Sequence, residues 1–120
     1  MKKEFVPYEL AVKLKVLGFD EPCFGYFDTD DNQVLKFDVV YENKNLPAPL
    51  YQQAFRWFRE KYMLSGEIYI FKNIWNFDIE DISNSIQLYT SDIMCYNSYE
   101  EAEIECLVKL IEIAKEQNVK

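Results

Sequence analysis

Apolar positions recur along this chain with two periods, and the changes between them mark out its elements. Leu10, Ala11, Leu14 and Leu17 recur at helical spacing within VPYELAVKLKVLGFDEP, which predicts a first amphipathic helix. Pro7 suits the first turn, where its missing N–H costs nothing. Gly18 can take the left-handed conformation that closes a helix, with Phe19 folding back onto Leu14; Pro22 then forbids continuation. The period next falls to two. CFGYFD (23–28) and QVLKFDVVY (33–41) predict two strands joined by TDDN, and in the second Leu35, Phe37, Val39 and Tyr41 alternate with Lys36 and Asp38, the mark of a half-buried strand. ENKNLPAP (42–49) reads as a polar, proline-containing loop.

The helical period returns from Pro49 to about Tyr62. There Leu50, Tyr51, Ala54, Phe55, Trp57 and Phe58 cover an arc of roughly 160°. Gln52, Gln53, Arg56, Arg59 and Glu60 take the other side, where Arg56 and Glu60 can pair at i,i+4. EIYIFK (67–72), IWNFDI (74–79) and IQLYTS (86–91) predict further strands, with EDISNS (80–85) as a turn and IMCY (93–96) either extending the last strand or standing alone. SYEE (98–101) opens a third helix through the capping-box spacing of Ser98 and Glu101. Its inner stripe is Ala102, Cys106, Leu107, Leu110, Ile111 and Ala114, with Glu105 and Lys109 paired outside, and fraying is predicted over about 116–120.

The predicted order is α-β-β-α-β-β(-β)-α. Connections within each strand group are too short for crossover helices. The expectation is therefore an α+β fold: one domain over 1–120, an antiparallel sheet of about four to five strands with three helices packed on it.

Composition narrows the function classes. The chain has 120 residues, 49% hydrophobic and 17% aromatic, enough to build a core without metal or disulfide. Its 21 acidic and 13 basic residues give a net charge of −8. That balance repels a phosphate backbone, so direct nucleic-acid binding is not expected; a basic partner suits it, and charge also serves solubility. Cys23, Cys95 and Cys106 form no CxxC motif, a usage that fits a reducing cytosol. The opening MKKEFVPYEL has no apolar run of a signal peptide, and no stretch approaches the length of a membrane span.

The chain contains no histidine, which removes Ser-His and Cys-His pairs and most transition-metal sites. The glycines stand alone at 18, 25 and 66, so no phosphate loop is present. Asp28, Asp30 and Asn32 match the first positions of a calcium loop, yet Gln33 and Val39 replace its essential glycine and glutamate; a hairpin loop explains them. In DIEDIS, Asp78, Glu80 and Asp81 cluster, as acid–base chemistry or a hard cation would need, and equally as an exposed polar turn would. The hydroxyls of SIQLYTS have no activating base. Arg56 and Arg59 are the chain's two arginines. Arginine offers a planar bidentate fork and is enriched at protein contacts, so Gln52, Arg56 and Arg59 are the first candidate contact surface, on a helix face otherwise expected to be solvated.

Three segments together, KEFVPYELAVKLKVLGFDEPCFGYF, APLYQQAFRWFREKY and SYEEAEIECLVKLIEI, resemble a family of short proteins encoded by phages and prophages of gut anaerobic bacteria. The resemblance spans nearly the whole chain and rests on the ordered combination. It implies a phage accessory product working in the bacterial cytoplasm, and it carries no activity, ligand or catalytic residue. The resulting expectation is a non-enzymatic, cofactor-free acidic module that binds a host or phage protein, with Gln52, Arg56, Arg59, Asp78, Glu80 and Asp81 as candidate contacts. One form is an inhibitor of host defence whose carboxylates imitate DNA phosphates in a regular array. The alternatives are a small-molecule or nucleotide binder, an enzyme using residues 78–81, and a structural subunit of an assembly.

Overall fold

The computed structural model describes residues 4–28, 34–37, 45–91 and 96–119. Its elements are α1 (Tyr8–Leu17), β1 (Gly25–Asp28), β2 (Val34–Phe37), β3 (Asn45–Ala48), α2 (Tyr51–Tyr62), β4 (Leu64–Phe71), β5 (Ile74–Asp81), β6 (Ile86–Thr90) and α3 (Tyr99–Val119). The class is α+β. The strands form two three-stranded antiparallel sheets, β2-β1-β3 and β4-β5-β6, where the pattern predicts one sheet of four to five strands. The chain divides into two units, Met1–Ala54 and Phe55–Lys120, with the division inside α2.

In the first unit, α1 turns Leu10, Ala11 and Leu14 inward. Gly18 closes it at φ 107°, and the Phe19 N–H reaches the Leu14 carbonyl at 3.0 Å, the left-handed closure that only glycine adopts without strain. The proline-containing segment predicted as a loop supplies β3, which pairs with β1 so that Tyr26 faces Pro47 and Phe27 faces Leu46. Pro47 has no N–H to give to a further strand, so it is tolerated on a strand at the sheet's edge. Beyond β3, the Val6 N–H donates to the Pro49 carbonyl at 2.9 Å. Of the calcium-loop-like segment 28–39, read from the sequence as a hairpin loop, only Asp28 and Val34–Phe37 are described, the latter as β2; Asp28 pairs with Lys36 at 3.1 Å.

The second unit is a meander covered by a helix. Lys72 and Asn73 both take positive φ, 54° and 65°, making the two-residue turn that matches strand twist between β4 and β5. β5 continues through Asp81, so the predicted turn over 80–85 begins only at Ile82. β6 carries a bulge opposite Ile79 and Glu80. After it, Tyr96 alone of IMCY is described, and it re-pairs with Trp75. α3 packs on β4 and β5, burying Ala102, Cys106, Leu107, Leu110, Ile111 and Ala114. Ser98 Oγ accepts the Glu101 N–H at 3.1 Å, so Ser98 caps the helix as the sequence predicts; the reciprocal half differs, because the Glu101 carboxylate accepts the Asn97 N–H at 3.3 Å in place of the Ser98 N–H. The tail predicted to fray is helical to Val119, and Asn118 Nδ2 donates to the Tyr62 hydroxyl at 3.0 Å.

Candidate functional site

Side chains alternate across a strand, so the six acceptor-rich positions of the second sheet are set by β5 and its register. A Cβ on Gly66 would point into Cys106 and Leu110 of α3; its neighbour Glu67 therefore faces away from α3. Glu67 pairs with Asp78, and Asp78 pairs with Thr90 on the other side. Two residues along β5, Glu80 stands between Ser65 and Gln87. The open face thus carries two rows across the sheet, Glu67–Asp78–Thr90 and Ser65–Glu80–Gln87. Directly opposed side chains in such a pair lie about 5 Å apart at Cβ.

Asp78 Oδ1 accepts the Thr90 hydroxyl at 2.7 Å and the Tyr69 hydroxyl at 3.4 Å, which orients the carboxylate without neutralising it. Among the described residues no lysine or arginine pairs with Glu67, Asp78 or Glu80. Like charges directly opposed across strands destabilise a sheet, and among the described residues this negative charge is uncompensated.

The sequence-predicted acids separate here. Asp78 and Glu80 share the open face. Asp81 instead holds the turn: its Oδ1 accepts the Ser83 hydroxyl at 2.6 Å and the Ser83 N–H at 3.0 Å, and its Oδ2 accepts Asn84 Nδ2 at 3.3 Å. These donors, the Ser83 hydroxyl foremost, hold its carboxyl below the ordinary value. The three acids therefore do not converge on one point. Glu67, absent from the sequence candidates, joins them through pairing register, which no local pattern in EIYIFK announces.

Gln52, Arg56 and Arg59 are exposed on α2, as the helical wheel predicts. Arg56 Nε lies 3.9 Å from Glu60, a long, exposed pair of the kind that contributes little. Gln53 of α2 makes a specific loop contact: its Nε2 donates to Glu21 Oε1 at 3.3 Å and to the Pro22 carbonyl at 2.9 Å.

Two further groups complete the picture. Glu103 is only 8% exposed on α3, and its carboxyl is raised from 4.5 to about 7 by burial, with the Tyr99 hydroxyl opposing and Glu100 adding to the rise. Cys106 is fully buried; burial first, then the nearby Glu103 and Asp78, push its thiol up to about 12. It packs as a small hydrophobe and is no nucleophile. Among the described residues no group of three or more acids and cysteines is placed to hold a metal ion, and no helix is long and apolar enough to cross a membrane. Comparison with known proteins finds no matching family model, no matching curated protein and no matching solved structure.

Proposed function

We propose that this chain is a non-enzymatic binding module that engages a basic surface on another protein through the open face of its second sheet. A host or phage protein is the partner that the sequence resemblance suggests. The observation that carries the reading is the opposed pair Glu67–Asp78 with Glu80 beside it, left without a cation among the described residues. A lysine or arginine from a partner relieves that repulsion and finds acceptors already oriented by Thr90 and Tyr69. Among the described residues of β4, β5 and β6, no further carboxylate extends this face into a phosphate-like array. The exposed row Glu101, Glu105, Glu112 and Glu116 lies on α3, which covers the other side of the sheet, and Lys109 interrupts it by pairing with Glu112 at 3.3 Å. A local basic patch is therefore a better fit than a groove built for nucleic acid.

The test is a tagged pull-down from host lysate, with and without phage infection, followed by affinity measurement on the purified partner. The variant is Glu67→Gln, Asp78→Asn and Glu80→Gln together, which keeps the polar shape and removes the charge. We expect it to stay folded and to weaken binding by about tenfold or more, with wild-type affinity falling steeply as salt rises. Unchanged affinity in that variant, combined with loss in Arg56→Ala with Arg59→Ala, would move the interface to α2 and overturn the reading.

A further inference from the structure

A strand with no neighbour on one side offers a row of unpaired backbone N–H and C=O groups. In the second sheet β4 is such an edge, and among the described residues β5 is its sole strand neighbour. Its backbone directions follow from the pairing. The two-residue turn makes Phe71–Ile74 a hydrogen-bonded pair, and such pairs recur at every second residue: Tyr69–Asn76, Glu67–Asp78 and Ser65–Glu80. The Ile82 N–H, which reaches the Met63 carbonyl at 2.9 Å, continues the series. The backbone groups of Gly66, Ile68 and Ile70 therefore point away from β5, and among the described residues nothing bonds them.

The two edges of this sheet differ. β6 is five residues long and its pairing is broken by a bulge, a device that blunts an edge. β4 runs for eight residues in unbroken register and contains neither proline nor lysine. Its last three residues, Tyr69, Ile70 and Phe71, are 38%, 54% and 56% exposed, which leaves room beside them. The two sides of this edge also differ in chemistry. Glu67 and Tyr69 stand on the open face, with Asp78 directly across from Glu67. Gly66, Ile68 and Ile70 alternate with them on the apolar side. A strand laid alongside meets a carboxylate and an aromatic ring on one side and aliphatic surface on the other. Exposed rings here do take cations: Lys72 Nζ lies 5.4 Å from the centre of the Phe71 ring. A second copy is a poor occupant, because it brings its own Glu67 to the middle of the seam and a further net charge of −8.

We propose that the basic partner of the open face enters as an extended strand that adds antiparallel to β4, with lysine or arginine at alternate positions and apolar residues between them. The main chain bonds Gly66, Ile68 and Ile70, while alternate side chains give specificity. The cations meet Glu67, Asp78 and the Tyr69 ring, and the apolar residues pack beside Ile68 and Ile70. This rests on the reading of the open face as the binding surface and specifies the form of its partner.

The experiment is a titration of the full chain, followed by backbone amide resonances, with N-acetyl-KVKVKVK-amide as the probe. In antiparallel pairing its valines stand opposite Gly66, Ile68 and Ile70 and exchange both hydrogen bonds with them, while the lysine N–H groups point to solvent. We expect saturable shifts centred on Leu64–Phe71. N-methylation of the valines is expected to abolish binding, and N-methylation of the lysines to leave it in place. The same residues in the order VVKKKKV are expected to bind about tenfold more weakly, and Glu67→Gln to weaken the alternating peptide by about tenfold. Binding that survives valine methylation yet falls in Glu67→Gln would overturn strand addition and spare the reading on which it rests. Binding that is blocked by valine methylation yet indifferent to Glu67→Gln would overturn both. Loss on lysine methylation alone, or equal binding of the two peptide orders, would overturn the antiparallel alternating strand. A free chain that sediments as a dimer, with the β4 resonances moving on dilution, would assign the edge to a second copy and overturn the proposal.

Discussion

Glu103→Gln is expected to stabilise the chain at pH 8 by about 2 kcal/mol and to leave its stability at pH 5 nearly unchanged. Glu103 is buried on the face of α3 that meets the sheet, and its carboxyl is raised from 4.5 to about 7, chiefly by that burial. The sign follows from proton linkage. Between those two values the folded chain holds a proton that the unfolded chain releases, so stability is highest below the unfolded value and falls as pH rises through about 7. Above that, the native state carries an ionised carboxylate in a poorly solvated place. Partial access to water discounts the full effect, hence the figure of about 2. Glutamine keeps the shape and the acceptor for Tyr99 and never ionises. The measurement is urea unfolding of both proteins across pH 5 to 8, a window clear of Asp81, whose lowered carboxyl contributes stability lost only as pH falls below the ordinary range. Parallel wild-type and variant curves would show that Glu103 is solvated at no cost.

Gly66→Ala is expected to destabilise the second unit by about 1–3 kcal/mol. An added Cβ would stand 2.7 Å from Cys106 Sγ and 3.2 Å from Leu110 Cδ1. Neither side chain has room to yield, since both are fully buried. Glycine in a strand costs conformational entropy, and here it allows α3 to approach β4 closely. The decisive form is a double-mutant cycle. Cys106→Ala alone removes one buried sulfur and is expected to cost about 1 kcal/mol. Combined with Gly66→Ala it vacates the space that the new methyl needs. The double variant is therefore expected to be more stable than the sum of the singles by about 1 kcal/mol or more. Strict additivity would mean that the close approach at Gly66 does not set the spacing of helix and sheet.

These two sites differ in how far the sequence announces them. Glu103 falls in the middle of the arc spanned by Ala102, Cys106, Leu107 and Leu110, so the wheel alone marks it as inward; its charged side chain argues against that placement, and the geometry of the helix prevails. Gly66 carries no such mark, because the atoms it would strike belong to residues forty positions later. The open-face carboxylates lie between these cases. Alternation along IWNFDI places Asp78 on the polar side, while Glu67 joins it only through the pairing of Glu67 with Asp78.

The sequence by itself determined what is settled within a few residues: three helices with their inner stripes, the Gly18 closure, the Ser98 cap of α3, and the alternating strands on either side of α2. It also determined what is missing, above all histidine and a glycine-rich loop. Tertiary structure alone decided that the strands divide into two sheets, that the proline-bearing segment at 45–48 becomes an edge strand, and that Asp81 serves a turn while Glu67 and Asp78 face each other. The physical reason is range. Helix periodicity, capping and alternation are contests among neighbours, whereas sheet membership, register and close approach are fixed by contacts between segments far apart in the chain, whose partners no local pattern names.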